Sequence, residues 1–179
     1  MFKVNCTSKV TVDFANTIVR ELVDFTKKSV LVGVPEDKAG RKDTDVTNAM
    51  LAFIHDKGSP LQGIPPRPFM DPGIKAAQDR INKEFLTIAK GKLGDMTEER
   101  IDQVLNRIGL IAQNSIKKVI NEGIGFSPLK ESTKRARLRK RKSSKKWSKA
   151  KQEEVMESMH PLVDTGAMRN SISYVVVNK

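Results

Sequence analysis

Residues 97–123 read TEERIDQVLNRIGLIAQNSIKKVINEG, and this stretch decides the fold. Ile101, Val104, Leu105, Ile108, Ile111, Ala112, Ile116, Val119 and Ile120 recur at three- and four-residue spacing, which gathers them into one broad stripe on a helix. The helix begins near Thr97 with Glu98 and Glu99 in its first turn, where the dipole favours acids, and Gly123 ends it. Upstream, beyond Gly94 and Gly91, a second long helix starts at Asp71-Pro72, read as N-cap and first-turn proline. Its core face is Ile74, Ala77, Ile81, Phe85 and Ile88. Before it, Pro60 to Phe69 (PLQGIPPRPF) is not helical, because prolines lack the backbone donor and restrict the residues preceding them.

Further out, Thr47 to Lys57 is a short helix carrying Met50, Leu51, Phe53 and Ile54, ended by Gly58 as a left-handed cap. A polar loop from Glu36 to Asp45 separates it from Ser29-Val30-Leu31-Val32-Gly33-Val34, a β-branched core strand stopped by Pro35. Val10 and Val12 mark a short strand. Asp13 caps a helix with Phe14, Ile18, Leu22 and Phe25 at helical spacing, closed by Lys27 and Lys28. At the other side of the long helix, Thr165 to Asn170 forms one helical turn. It runs into a closing strand in which Ile172, Tyr174 and Val176 alternate with Ser173, Val175 and Val177. The order of elements predicts an α+β fold: a small, mostly antiparallel sheet packed against two long helices, in a single domain over residues 1–179.

The charge is lopsided. Lys130 to Lys151, KESTKRARLRKRKSSKKWSKAK, holds twelve bases against the single acid Glu131. Removing them from the chain's 33 bases and 21 acids leaves 21 and 20, so the net charge of +12 sits almost wholly in this tract. From Lys134 to Lys146 there is no apolar stripe, which predicts an extended polybasic insertion over about residues 130–159 that does not pack as core. Ser143 to Met159 has a modest apolar patch (Val155, Met156, Met159) suited to helix formation on docking. Cys6 stands alone, which excludes an internal disulfide and points to a reducing compartment. His55 and His160 are the only histidines and lie far apart, so no zinc-site spacing exists, and no metal or cofactor is expected. The start, MFKVNCTSKVTVDF, lacks the apolar region and cleavage site of a secretory signal, and no apolar run is long enough to span a membrane.

Several segments carry a family resemblance: GVP at 33–35, TNAMLAFIHDKGSPLQGIPPRPFMDPGI at 47–74, INEGIGFSPLKESTKR at 120–135 and HPLVDTGAMRNSISYVV at 160–176. Their order and spacing, from about Val30 to Val177, resemble the tail-completion and head–tail joining proteins of long-tailed bacteriophages, the group of minor tail protein Z. The departure is the enlarged basic segment between Thr133 and Pro161. The resemblance implies a structural virion protein of the tail or neck, assembled in the bacterial cytoplasm. It would be a homo-oligomeric ring around the DNA passage, contacting other tail or connector proteins, with no enzymatic activity and no membrane.

Two uses of the basic tract stay open. Lys134, Arg135, Arg137, Arg139, Lys140, Arg141, Lys142, Lys145, Lys146 and Lys149 suit phosphate neutralisation, with Trp147 placed to stack on a base. They equally suit a solvated loop or an acidic protein neighbour, and Trp147 equally suits plain packing. A nucleic-acid-binding protein acting through this tract is the competing function. Ile64-Pro65-Pro66-Arg67-Pro68-Phe69 reads first as a stiff connector, and its preset shape also suits docking on a neighbouring subunit, with Arg67 and Phe69 as contacts and Tyr174 at a nearby strand edge. Asp164 or Thr165 caps the short helix, and Gly166 permits close backbone passage. Among the acids, Asp71, Asp95, Glu98, Glu99, Asp102, Glu153 and Glu154 sit in helix first turns or on solvated faces and form no catalytic set.

Overall fold

The computed structural model describes residues 23, 26–40, 45–89, 97–141, 143 and 146–179. Its elements are β1 (Lys28–Gly33), α1 (Asn48–Lys57), α2 (Met70–Ala89), α3 (Glu98–Glu122), α4 (Glu131–Lys140), α5 (Lys149–Glu157), α6 (Ala167–Ser171) and β2 (Ser173–Asn178). The fold is α+β, with a two-stranded antiparallel sheet among the described residues. The expected strand at Val10–Val12 and most of the helix begun at Asp13 lie outside them.

The stripe of residues 97–123 becomes α3 with both ends closed. The Thr97 side chain accepts the Arg100 N–H at 3.4 Å, and Gly123 ends the helix at φ 62°, ψ 14°, its N–H donating to the Val119 carbonyl. Ile101, Val104, Leu105, Ile108, Ala112, Ile116 and Ile120 are buried, while Ile111 and Val119 lie half-buried at the margin of the stripe.

Small residues let α2 and the sheet approach α3 closely. A Cβ on Gly73 of α2 would lie 2.6 Å from Ile116 Cγ1, and one turn on, Ala77 shares a cluster with Ala112. Ile81 is buried and Ile74 half-buried, as the apolar face predicts, whereas Phe85 is 39% exposed and Ile88 lies outside the described side chains. On the other flank, a Cβ on Gly109 would overlap the Tyr174 ring. That glycine is therefore the notch in α3 that receives β2.

The register pairs Val30 with Val176 and Val32 with Tyr174, and Val30 and Val32 pack against the buried clusters. Leu31 pairs with Val175 on the opposite face, and both are exposed. β1 is thus half-buried rather than a strand enclosed on both faces. Lys28 ties its start to the first turns of α3, donating to Glu98 at 2.9 Å and Asp102 at 2.6 Å.

α1 starts as expected, with Thr47 Oγ1 accepting the Met50 N–H. Its end differs from the expected left-handed cap: Gly58 has φ 81° but an extended ψ of 172°. It leads into a small closed loop in which Ser59 and Ile64 exchange two backbone hydrogen bonds of 2.9 Å. A Cβ at Gly58 would sit 2.8 Å from Pro66 N, so both the torsion and the space require glycine.

The N-cap of α2 is also not where the local pattern puts it. The helix begins at Met70, so Asp71 and Pro72 lie inside its first turn. The N–H groups of Phe69 and Met70 are taken by Asp56 Oδ1, at 2.9 and 3.1 Å, from the last turn of α1. Asp56 is buried, and its second oxygen pairs with Lys57 at 3.0 Å. Burial pushes the Asp56 carboxyl up, but the two backbone N–H bonds and Lys57 outweigh it and hold the group below the ordinary aspartate range.

Replacing Asp56 with alanine leaves two donors at a buried helix start without their acceptor, and is expected to cost about 3 kcal/mol in denaturant unfolding. With its folded value lowered, the carboxylate contributes stability that is present above the unfolded aspartate value. The advantage of wild type over Asp56→Asn should therefore shrink as pH falls below about 4. Gly109→Val is expected to cost about 2 kcal/mol by overpacking, with a smaller loss when made together with Tyr174→Ala, a non-additivity that a double-mutant cycle measures.

Candidate polyanion interface

The basic tract is not an extended loop. α4 and α5 occupy it, and Leu138 is what anchors α4. It is the one large apolar residue between Lys134 and Lys146, and it is 7% exposed. A single buried leucine gives no periodic pattern, which is why the segment reads as unpacked. Glu131 in the first turn, with Arg137, Arg139 and Lys140 in the last, complements the helix dipole. α5 forms where the apolar patch lies, and Ser148 Oγ accepts the Lys151 N–H as its cap.

Helix formation sorts the cations by direction. Arg137 turns inward and donates Nη1 to the carbonyls of His160 and Val163, both at 3.0 Å, with Asp164 Oδ1 at 3.9 Å from its Nε. It clamps α4 to the segment before α6 and is a strut rather than a surface charge. Lys134 is largely covered and pairs with Glu131 at 2.9 Å. Arg135, Arg139, Lys140, Arg141, Lys146 and Lys149 remain exposed, and Lys142 and Lys145 lie outside the described residues.

Arg135 and Arg139, one turn apart, line a cleft of about 470 Å³ between α4 and α5 together with Ser132, Leu138 and Gln152. Trp147 is half-buried at the start of α5, where its carbonyl accepts from Gln152 Nε2 at 3.1 Å. A row of cations on one helix presents charge and few fixed acceptors, which suits neutralising phosphates or carboxylates rather than reading sequence.

The expected contact loop at Ile64–Phe69 divides differently. Arg67 and Phe69 are buried, at 5% and 0% exposure, and so do not protrude as the surface contacts expected of this loop. Phe69 enters the cluster of Ile116, Ile120, Leu162, Met168 and Ile172. Arg67 donates Nε to the Ser127 carbonyl at 2.8 Å and Nη2 to the Pro128 carbonyl at 3.1 Å. Pro66 and Pro68 are exposed, Ile64 and Pro65 half-buried, and Tyr174 is half-buried over Gly109. The two most contact-like side chains of the loop thus turn into the chain.

At α6 the capping residue is Gly166, at φ 78°, ψ −3°, and Thr165 Oγ1 accepts the Ala167 N–H at 3.3 Å, while Asp164 faces Arg137 instead. The carboxylates are dispersed: Glu98 and Asp102 on Lys28, Glu154 on Lys151, Asp71 near Lys57. Asp95 lies outside the described residues, which hold no group of three potential metal ligands. Nor does any described helix have the length and apolarity to cross a membrane. No family model, curated protein or solved structure matches the chain.

Leu138→Ala is expected to cost about 2 kcal/mol, at the low end for a buried leucine because the site is peripheral. Hydrogen exchange should show the loss concentrated in α4 amides, with α2 and α3 protected as before.

Proposed function

We propose that this chain is a structural virion protein of the phage tail-completion and head–tail joining type, working by self-association and protein contacts. Its outward basic face would be turned to the DNA passage or to an acidic ring beside it. The observation that carries this reading is spatial. Two segments of the resemblance, 47–74 and 160–176, meet in one core cluster through Phe69 from the former and Leu162, Met168 and Ile172 from the latter. The chain leaves this shared core after Phe126, runs through the basic segment held by Arg137, and returns to the core at Leu162. A scaffold with an added basic arm accounts for that arrangement.

Self-association has surfaces to use. The Leu31–Val175 pair faces outward from the sheet, and Phe53 on α1 is 68% exposed. Apolar side chains concentrated on sheet and helix faces suit packing between copies. The assembly would form without chemistry, by complementarity of these faces.

Withdrawing the chain from a phage-producing culture tests the reading directly. Filled heads and unattached tails should accumulate, and imaging of complete particles should place the chain's density around the DNA passage. Intact virions formed without it would refute the proposal. The competing nucleic-acid function separates on a second comparison, in which Arg135, Arg139, Lys140, Lys146 and Lys149 are all changed to glutamine. The fold and self-association should persist, and any DNA retention should weaken with a shallower salt dependence, by about 0.9 in logarithmic slope for each phosphate no longer neutralised. Loss of every function in that variant, with no self-association in the parent, would favour the competing reading.

A further inference from the structure

Arg67 is a buried cation with no counter-ion among the described residues. The residue is 5% exposed, and among the described residues its guanidinium bonds to the carbonyls of Ser127 and Pro128 and makes no ion pair. Carbonyl dipoles solvate a guanidinium but leave its charge in place, and buried charges are ordinarily paired. The neighbourhood adds to the excess. Arg67 lines a cavity of about 250 Å³ together with Lys130, Arg137, Thr133 and His55. Lys130 Nζ reaches the carbonyl of Gly63 at 3.1 Å, and Asp164, itself half-exposed, stands 3.9 Å from Arg137 Nε.

His55 Nδ1 is buried with no hydrogen-bond partner. Burial, then Arg67 and Arg137, push this imidazole below the ordinary histidine range. Among the described residues, no acceptor takes Arg67 Nη1 or Arg137 Nη2. An adjoining cavity of about 150 Å³ shares His55, Arg137 and Leu162, and Asp164 lines that second cavity but not the first. The first cavity therefore gathers three cations and the unpartnered His55 Nδ1 around space that no acidic side chain among the described residues lines.

We propose that this cavity is a receptor for one carboxylate, delivered by an acidic side chain of a partner protein. Recession decides between this ligand and a nucleic acid. The Arg137 side chain is 16% exposed and Arg67 less, so the broad phosphate ridge of a duplex cannot reach them, whereas a glutamate on its slender stem can. The outward cations of α4 remain the surface for a polyanion. The inward cluster takes a single charged group, which donors converging from α1, the loop before α2 and α4 would fix in orientation. This site is independent of the virion reading and stands whether or not that reading does.

Glutarate is the probe, with inorganic phosphate as the comparison, and the signal is the His55 ring in a His160→Gln background, where it is the only histidine. Glutarate should shift it saturably in the millimolar range, about fivefold more weakly in Lys130→Gln and unchanged in Lys140→Gln. Thr133→Glu, which places a carboxylate in the cavity from within, should raise the melting temperature and abolish glutarate binding. A linear or absent shift, equal affinity in Lys130→Gln, tighter binding of phosphate, or a lower melting temperature for Thr133→Glu would each overturn the proposal.

Discussion

The close passage of α2 across α3 sets the position of everything else. Gly73 lies against Ile116 and Ala77 shares a cluster with Ala112, so the helices meet nearly backbone to backbone at one end. Larger side chains there would hold the axes apart and open the space that Phe69, Leu162, Met168 and Ile172 fill. Because Phe69 directly precedes α2, the same crossing fixes the proline loop, and through Asp56 it fixes the end of α1. The sheet then seats itself on the remaining flank of α3, at Gly109. One helix pair thus aligns both the core and the frame around the basic segment.

Periodicity made the long elements legible. α3 has both caps and a nine-residue stripe within it, and the closing strand is a run rich in β-branched residues, so residue pattern alone locates them. What escaped is non-local. Asp56 caps a helix in which it does not lie, and in sequence it looks like one more surface acid near the end of α1. Gly109 interrupts a helix for the sake of a ring 65 residues away, and only the assembled sheet explains it. Leu138 anchors α4 alone, and a lone leucine among arginines carries no period.

The candidate site was legible as composition and illegible as geometry. Counting bases locates the tract but treats its members as equivalent. Helical rotation separates them: Arg137 and Lys134 turn in, Arg135, Arg139 and Lys140 turn out, and the two sets do different physical work. The proline loop shows the same lesson from the opposite side. Arg67 and Phe69 are the residue types that dominate protein contacts, and both were absorbed into the interior, where the guanidinium holds two carbonyls and the ring fills the core.

The pairing of β1 with β2 also has a consequence for biosynthesis. Lys28 meets Asn178, so the sheet joins the first described strand to the last element in chain order. α2 and α3 can collapse on one another while the ribosome is still adding residues, since their contacts are short in sequence, whereas α1 packs against the late α6. The Gly109 notch and the inner faces of Val30 and Val32 have no β2 to cover them until Tyr174 and Val176 have been made. During that interval the growing chain exposes a bare apolar groove together with the unpaired edge of β1. Closure of this groove thus waits for β2, and the nascent chain is most prone to mispairing until that strand has been made.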